Sequence, residues 1–470
     1  MSNPNSIPGV DYGRNTNRAD VLIIGAGISG LTTAIEMIRK GNGRNFIIVE
    51  RGNQVGGTWN DQRYPGCCCD VWSHLYSFSF EPNPNWTREY PGQEEILDYL
   101  IGVAHKYQLY RHIRFNTSVE EARWDDSSNT WHTKLMRLGS KDAEFGEEYT
   151  ITSNFLVSAV GQLNVPKFPD IKGLDSFQGK PMHSARWDWD YDIRDKKVGI
   201  IGNGATAAQI IPEVAKRAYE RPTFARENVL LETAAIQKIT PNGVIVDGEK
   251  EHEFDVLILA TGFKTTQFMY PIKIYGADGK SIEDRWSSGA SAYLGMTIPS
   301  MPNFSMLYGP NTNLGHNSII LMIEAQAMYI NALIKKVIGA RDIGGSLRIE
   351  PKLHVMEQYN KEIQARLSKS AFADPNCNSW YKNEEGLITN NWSDAVIPYQ
   401  IKTSSIHWDE FDISGKGADD VKQEGMTSWP RVVEETQVSN KMILAGLIAT
   451  AGVATVGILF RGSLKSALRH

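Results

Sequence analysis

The chain has 470 residues, 41% hydrophobic and 22% charged, enough to bury two globular cores. Its formal net charge of -5 gives no electrostatic reason for nucleic-acid binding, and four cysteines, three of them adjacent at Cys67, Cys68 and Cys69, cannot build a secreted disulfide framework of the usual kind. A reducing compartment fits them better, and the polar N-terminus, residues 1–18, lacks the basic-then-apolar layout of a signal peptide and is expected to be disordered.

In chain order the pattern alternates β and α. Val21 to Ile24 reads as a short buried strand, Gly30 to Arg39 as a helix, and Asn45 to Glu50 as a second strand ending in a carboxylate. Between the first strand and the helix lies Gly25-Ala26-Gly27-Ile28-Ser29-Gly30, whose glycines let backbone approach a pyrophosphate at the helix N-terminus. Glu50 stands 20 residues past Gly30, where an acid accepts a ribose hydroxyl. Such a turn alone is a weak signal. Here strand, turn, helix, strand and acid all fall in order, and the unit reads as dinucleotide-binding.

The polar and aromatic segments GGTWNDQRYPG and DVWSHLYSFSF follow, then a helix from Gln93 to Tyr107. His112 to Arg123, Trp131 to Met136 and Glu148 to Thr152 alternate as antiparallel strands do, and Phe155 to Gly161 (FLVSAVG) reads as a buried strand ending at a glycine. Its counterpart is Asp255 to Phe263 (DVLILATGF). Between them a second turn, Gly202-Asn203-Gly204-Ala205-Thr206-Ala207-Ala208-Gln209, follows the apolar run from Val198. Two nucleotide-cradling turns imply two nucleotides, and no metal-ligand set is read.

GAGISG, GGTWNDQRYPGCCCD, SHLYSFSF, the F-x-G-x-x-x-H-x-x-x-W-D segment from Phe177 to Asp188, IIGNGATAAQ, LILATGF, LYGPNTNLGHNS and NSWYKNEEG stand in one order. In that order the chain, from about Ala19 to Tyr399, resembles class B flavoprotein monooxygenases, specifically Baeyer–Villiger monooxygenases of the 4-hydroxyacetophenone monooxygenase-like group. Trp187 separates it from N-oxidising relatives, which have Tyr there; Ser184 stands where Thr is more usual. The resemblance implies an α/β fold with two Rossmann-like dinucleotide-binding domains, FAD and NADPH as cofactors, and O2 with a lipophilic ketone as substrates. One oxygen atom would be inserted beside the carbonyl, in the biosynthesis of a secondary metabolite. By similarity, Gly25, Gly27, Gly30 and Glu50 hold the adenine half of FAD, and Thr58, Trp59, Asn60 and Asp61 line its middle. Asp70, Val71 and Tyr76 approach flavin and nicotinamide, Cys68 and Cys69 lie in the flavin loop, and Val119 lies near the adenine. The second turn, Gly202 to Gln209, takes NADPH. Asp70 is expected to orient the active-site arginine. His183 reads as a hinge residue, and the cysteine triplet as packing rather than as a nucleophile.

One departure from the family is large. From Gly202 to Thr261 there are only about 60 residues, where the family places most of an NADPH domain and a helical insertion. Past the helix ending near Arg217 no apolar strand follows to hold the adenosine ribose, although Arg221 and Arg226 lie at about the distance where a 2′-phosphate is bound. Val229 to Glu232, Ala235 to Ile239, Gly243 to Asp247 and Phe254 to Ala260 are expected to form only a reduced sheet. Glu220-Arg221-Pro222 partly matches the context of the family's catalytic arginine, which steadies anionic oxygen, and aligns almost as well with a later, non-catalytic segment.

Met442 to Phe460 is an uncharged run of 19 residues flanked by Lys441, Arg461, Lys465 and Arg469. As a helix it spans about 28 Å, close to a bilayer's hydrocarbon thickness; a buried helix is the alternative. The expected organisation is residues 19–168 as the first part of the FAD domain, 169–253 as a truncated NADP-binding domain, and 254–400 as the second part of the FAD domain. A tether (401–441), a transmembrane helix (442–460) that anchors a cytosolic catalytic part, and a basic tail (461–470) follow. Three readings compete: the NADPH-linked monooxygenase, with heteroatom oxygenation as a variant; a flavoprotein with impaired NADPH use; and a non-catalytic binding protein on the same fold.

Overall fold

The computed structural model describes residues 17–41, 45–138, 147–218, 229–247, 250–315, 317–377 and 379–432. The first half opens with β1 (Arg18–Ile24), α1 (Ile28–Arg39), β2 (Phe46–Val49), α2 (Thr58–Asp61), α3 (Gln93–Lys106), β3 (Ile113–Arg114), β4 (Thr117–Asp125), β5 (Thr130–Arg137) and β6 (Glu148–Ser158). β2 and the Val21–Ile24 part of β1 form where apolar residues run without interruption, as expected of strands buried on both faces. The single run expected from His112 to Arg123 is broken at Asn116, whose φ of 52° turns the chain between β3 and β4.

The two strands expected at Glu148 and Phe155 are one. The N-terminal part of β6 pairs antiparallel with β5 (Met136 opposite Glu148), and from Thr152 onward it pairs parallel with β1. One strand thus belongs to a β-meander and to the nucleotide fold, which hides its continuity from a reading based on local period.

A second group comprises β7 (Lys180–His183), β8 (Val198–Ile201), α4 (Ala205–Ala218), β9 (Ile236–Ile239), β10 (Gly243–Val246), β11 (Lys250–Glu253) and β12 (Val256–Leu259). β7, β12 and β8 form a three-stranded parallel sheet in that order, and β11, β10 and β9 an antiparallel one. Strand β12 is buried on both sides. Val256 and Ile258 pack with Met182, Ile210 and Val214 beside α4, while Leu257 packs with Phe177, Ile239, Val244 and Val246 beside the antiparallel strands. The second nucleotide fold therefore extends to β12, beyond the expected limit at residue 253.

The chain then returns to the first sheet with β13 (Lys273–Tyr275), α5 (Ile282–Arg285) and β14 (Phe304–Met306), where β13 pairs with β4 and β14 with β6. α6 (Ile319–Asp342), its first turn capped by the Ser318 hydroxyl, packs on α1 and is buried on most of its circumference. β15 (Arg348–Pro351), α7 (Leu353–Leu367), α8 (Val396–Lys402), β16 (Ser405–His407), β17 (Phe411–Ser414), α9 (Ala418–Gln423) and β18 (Met426–Ser428) complete the described chain. A separate unit by contacts includes Phe78–Pro82, a turn in which the Phe78 and Phe80 rings stack at 5.1 Å.

Two expectations for the C-terminal region are corrected. Residues 401–432 are not a tether: β17 pairs with β15, β18 with β16, and Trp408, Phe411, Ile413 and Val421 are buried. Among the described residues no helix is long and apolar enough to cross a membrane. Met442 to Phe460 lies outside the described residues, so neither the transmembrane helix nor the membrane-anchored localisation has structural support, and both are withdrawn.

His112 stacks on Phe46 of β2 with ring centroids 4.1 Å apart, and burial holds its pKa down to about 4. The folded protein thus binds fewer protons than the unfolded chain between pH 6.5 and 4, so this contribution to stability is present above pH 6.5 and lost as pH falls through about 4. Replacing His112 with Phe is expected to flatten the acid limb of the stability profile by on the order of 1–2 kcal/mol, measured by denaturant unfolding from pH 7 to 4.

Candidate active site

Both glycine turns lie at the C-terminal ends of parallel strands, the edge at which open α/β sheets bind ligands. At the first turn, Gly25 has φ 105° and a Cβ there would lie 2.6 Å from the Ala159 carbonyl oxygen; at Gly30 it would lie 1.9 Å from the carbonyl oxygen of Gly25. Those two glycines are demanded by the protein's own backbone. Gly27 differs, since its nearest neighbour is the Cα of Gly57, 3.3 Å from the position a Cβ would take. Gly27 and Gly57 precede α1 and α2, neither helix has a side-chain cap, and α1 carries no acid in its first turn. An uncapped α1 N-terminus against a second glycine loop fits a pyrophosphate.

Glu50 faces this turn. Its carboxylate accepts from the Ala26 N–H and the Gly52 N–H, both at 2.7 Å. Burial pushes its carboxyl up, and those two backbone bonds oppose the shift. The acid expected for a ribose hydroxyl therefore also braces the glycine turn itself.

From α2 the chain runs through the aromatic loop. Trp59 Nε1 donates to the Tyr76 hydroxyl at 3.1 Å with the rings edge to face, and Asn60 is buried and accepts from Arg63. Thr58 opens α2 and Asp61 closes it, 3.7 Å from Arg51. The Val71 N–H faces the Cys69 sulfur at 3.4 Å. Asp70 is exposed, and its charge adds to burial in pushing up the phenols of Tyr76, Tyr308 and Tyr381.

Tyr308 and Tyr381 were not singled out from the sequence, although both lie in its ordered motifs. The stronger sign for Tyr308 is its left-handed backbone, φ 56°, rare for a large side chain. Hydrogen bonds hold it there: its N–H donates to Gln326, its carbonyl accepts from Gln162 and its hydroxyl donates to Asn313. Asn390 links Gln162 to the Thr265 carbonyl.

At the second turn, Gly202 has φ 126° and a Cβ would meet the Ala260 carbonyl oxygen at 2.3 Å. Gly204 has nothing within 4 Å of that position, and Gly202, Asn203, Gly204 and Ala205 are exposed. Ala207 packs inward, whereas Ala208 faces out. α4 has no acid in its first turn. Gln209, expected at the nucleotide, instead turns to the aromatic loop and bonds Tyr64 and Cys68.

The remaining expected residues fall elsewhere or outside the described chain. Val119 is buried in the main core opposite Leu135. His183 is buried between Phe168 and Phe263, its Nδ1 accepting from the Ala185 N–H, at the join of the two folds. Trp187, like Tyr64 and Tyr191, packs against the core of the second fold, while Trp189 donates to the Arg63 carbonyl. Arg221 and Arg226 lie outside the described residues.

Two glycine turns at the ends of parallel strands in two sheets, joined through an aromatic loop, define a flavoprotein with two dinucleotide folds. The family model described as FMO-like, flavin-binding monooxygenase-like, matches residues 18–228. The chain is 42% identical over 537 residues to the FAD-binding monooxygenase ktnD of Aspergillus niger, covering 93% of this chain and 88% of that protein. It is 32% identical over 461 residues to a Baeyer-Villiger monooxygenase of Pseudomonas aeruginosa, covering 77% of this chain and 85% of that one. The chain belongs to the flavin-binding monooxygenase-like family. Its fold matches that of oxidized steroid monooxygenase bound to NADP, with TM-score 0.71 and 23% identity over 89% of this chain and 100% of that one. The closed structure of cyclohexanone monooxygenase matches with TM-score 0.71 and 21% identity over 88% and 100%. The alignment with the A. niger protein spans 537 positions although this chain has 470 residues, so that relative has positions without a counterpart here.

Burial pushes the Cys67 thiol up to about 11 and the Cys69 thiol up to about 12, and Cys68 is also raised. Thiolate is scarce at neutral pH, which supports packing over nucleophilic chemistry. Iodoacetamide at pH 7.5 is expected to label Cys67 and Cys69 at least about tenfold more slowly than a free cysteine, read by peptide mass spectrometry.

Proposed function

We propose that the chain is an FAD-dependent, NADPH-linked monooxygenase that inserts one oxygen atom of O2 beside the carbonyl of a lipophilic ketone. The observation that carries this reading is the joining of two nucleotide turns through the loop that holds Asp70. When bound, FAD supplies the redox chemistry between NADPH and O2. The chain's own residues hold and orient the reactants and exclude water. Gly25, Gly27, Gly30 and the Gly57 backbone would take the pyrophosphate, with Glu50 bracing the turn. Trp59 and Tyr76, fixed to each other by a hydrogen bond, would form a rigid wall. Burial keeps Tyr76, Tyr308 and Tyr381 protonated through neutral pH, so they act as neutral hydrogen-bonding walls and not as bases. Asp70 is proposed to orient a guanidinium. Arg221 is proposed for that guanidinium on its sequence context alone.

A specific observation favours a weakened use of NADPH. Strand β8 pairs only with β12 among the described residues, and Val198, Ile200 and Ile201 are only partly buried. Past α4, Val229, Leu230 and Leu231 are 41%, 90% and 87% exposed in coil. A complete βαβ unit would cover that edge with a second strand carrying the adenosine ribose and 2′-phosphate contacts.

The purified full-length protein is expected to be yellow, with flavin retained after desalting. Gly27→Val should lower flavin content at least about tenfold while thermal melting still shows a folded protein, because the added methyls enter the pyrophosphate's space. Colourless folded wild-type protein overturns the redox reading.

Loss of a charge-assisted contact costs about 1.5–3 kcal/mol, which is roughly tenfold to more than a hundredfold in affinity. Anaerobic stopped-flow reduction is therefore expected to saturate only at high NADPH and to discriminate weakly against NADH. Saturation at micromolar NADPH with strong rejection of NADH would show an intact 2′-phosphate site.

A further inference from the structure

We infer that Gln209 is a positioning residue whose side-chain amide docks the second nucleotide-binding helix onto the loop ending in Asp70, and so sets where the nicotinamide end of NADPH meets the flavin. This rests on the proposed function. The geometry behind it is local and complete.

Cys68 lies in a strand-like stretch with one edge already paired. Its antiparallel bridge to Gly92 is made by the Gln93 N–H donating to the Cys67 carbonyl and the Cys69 N–H donating to the Pro91 carbonyl, each at 2.9 Å. Backbone groups alternate along an extended chain, so the N–H and C=O of Cys68 itself face the other way. There the Gln209 amide is found: Nε2 donates to the Cys68 carbonyl at 3.1 Å, and Oε1 faces the Cys68 N–H at 3.4 Å. The same Oε1 accepts from the Tyr64 hydroxyl at 2.8 Å. A primary amide carries the donor and acceptor of a peptide group, so Gln209 closes this edge as a neighbouring strand would.

The contact has no slack. A Cβ at Gly66 would lie 2.5 Å from the Gln209 carbonyl oxygen, so loop and helix touch backbone to backbone. Asp70 is two residues beyond Cys68, and Gln209 is little more than one helical turn beyond the exposed Gly204. The Gln209 side chain thus ties the helix behind the NADPH turn to the residues next to Asp70, while Trp189 holds the same loop further back at the Arg63 carbonyl. Glu at 209 keeps the acceptor for Tyr64 but presents a carboxylate to the Cys68 carbonyl, and Leu keeps the bulk with neither bond.

The test uses the full-length flavoprotein with Gln209→Leu, Gln209→Glu and Tyr64→Phe. Flavin content and reduction by dithionite should match wild type. The limiting rate of anaerobic reduction at saturating NADPH should fall about tenfold or more in both Gln209 variants and less in Tyr64→Phe, since misplacement of about 1 Å is enough to cost that much. NADP+ should also no longer perturb the flavin absorption spectrum in the Gln209 variants. A limiting rate within about twofold of wild type in Gln209→Leu overturns the inference. So does loss of flavin in both Gln209 variants with Tyr64→Phe fully active, which makes the contact a fold requirement only. A wild-type protein that NADPH does not reduce overturns the proposed function, and this inference with it; variants equal to a reducible wild type overturn this inference alone.

Discussion

The same backbone arrangement recurs at both nucleotide turns, and the site is built outward from it. At the first turn the Ala159 N–H donates to the Ile24 carbonyl at 2.8 Å, and the Ala159 carbonyl stands where a Cβ on Gly25 would be. At the second, the Ala260 N–H donates to the Ile201 carbonyl at 2.8 Å, and the Ala260 carbonyl excludes a Cβ from Gly202 in the same way. In each case the parallel neighbour ends against the turn and forces a positive-φ glycine, which aims the following helix N-terminus at open space. The glycines are thus conditions of strand packing before they are contacts for a ligand.

This arrangement explains how the second fold keeps its turn with only three parallel strands among the described residues. What shapes Gly202 is β12, and β12 is the best buried strand of that sheet, with Val256 and Ile258 on one face and Leu257 on the other. Each such side chain contributes about 1.5–3 kcal/mol when fully buried. The strand on the far side of β8 would add adenosine contacts, but it is not needed to hold the glycine in place. The geometry of the glycine turn is therefore set independently of whatever strand lies beyond β8.

Much of this was legible in the sequence because it depends on local rules. β1, α1 and β2 follow from apolar runs and a glycine turn, and the shortness of the second sheet follows from the spacing of Gly202 and Thr261. The misread parts depend on partners far away in the chain. The unity of β6 is decided by its change of neighbour from β5 to β1. Phe411-Asp412-Ile413-Ser414 alternates buried and exposed, so the signal of β17 was present in a stretch expected to be tether. An apolar run reports that charge is absent, not what covers it: α6 is long and buried nearly all round, yet what covers it is α1 and the first sheet. The role of Gln209 was invisible for the same reason, since its partners at Tyr64 and Cys68 lie more than 140 residues away.

That distance bears on how a shortened protein of this family could work at all. Here the described contact runs through the Gln209 amide, the Gly66 backbone approach and the Trp189 indole, which donates to the Arg63 carbonyl of the same loop. Half-buried hydrogen bonds of this kind are individually modest, but the backbone contact at Gly66 converts them from a flexible link into a register, because helix and loop cannot slide without a clash. Alignment of the two turns is then set by this local packing among the described residues.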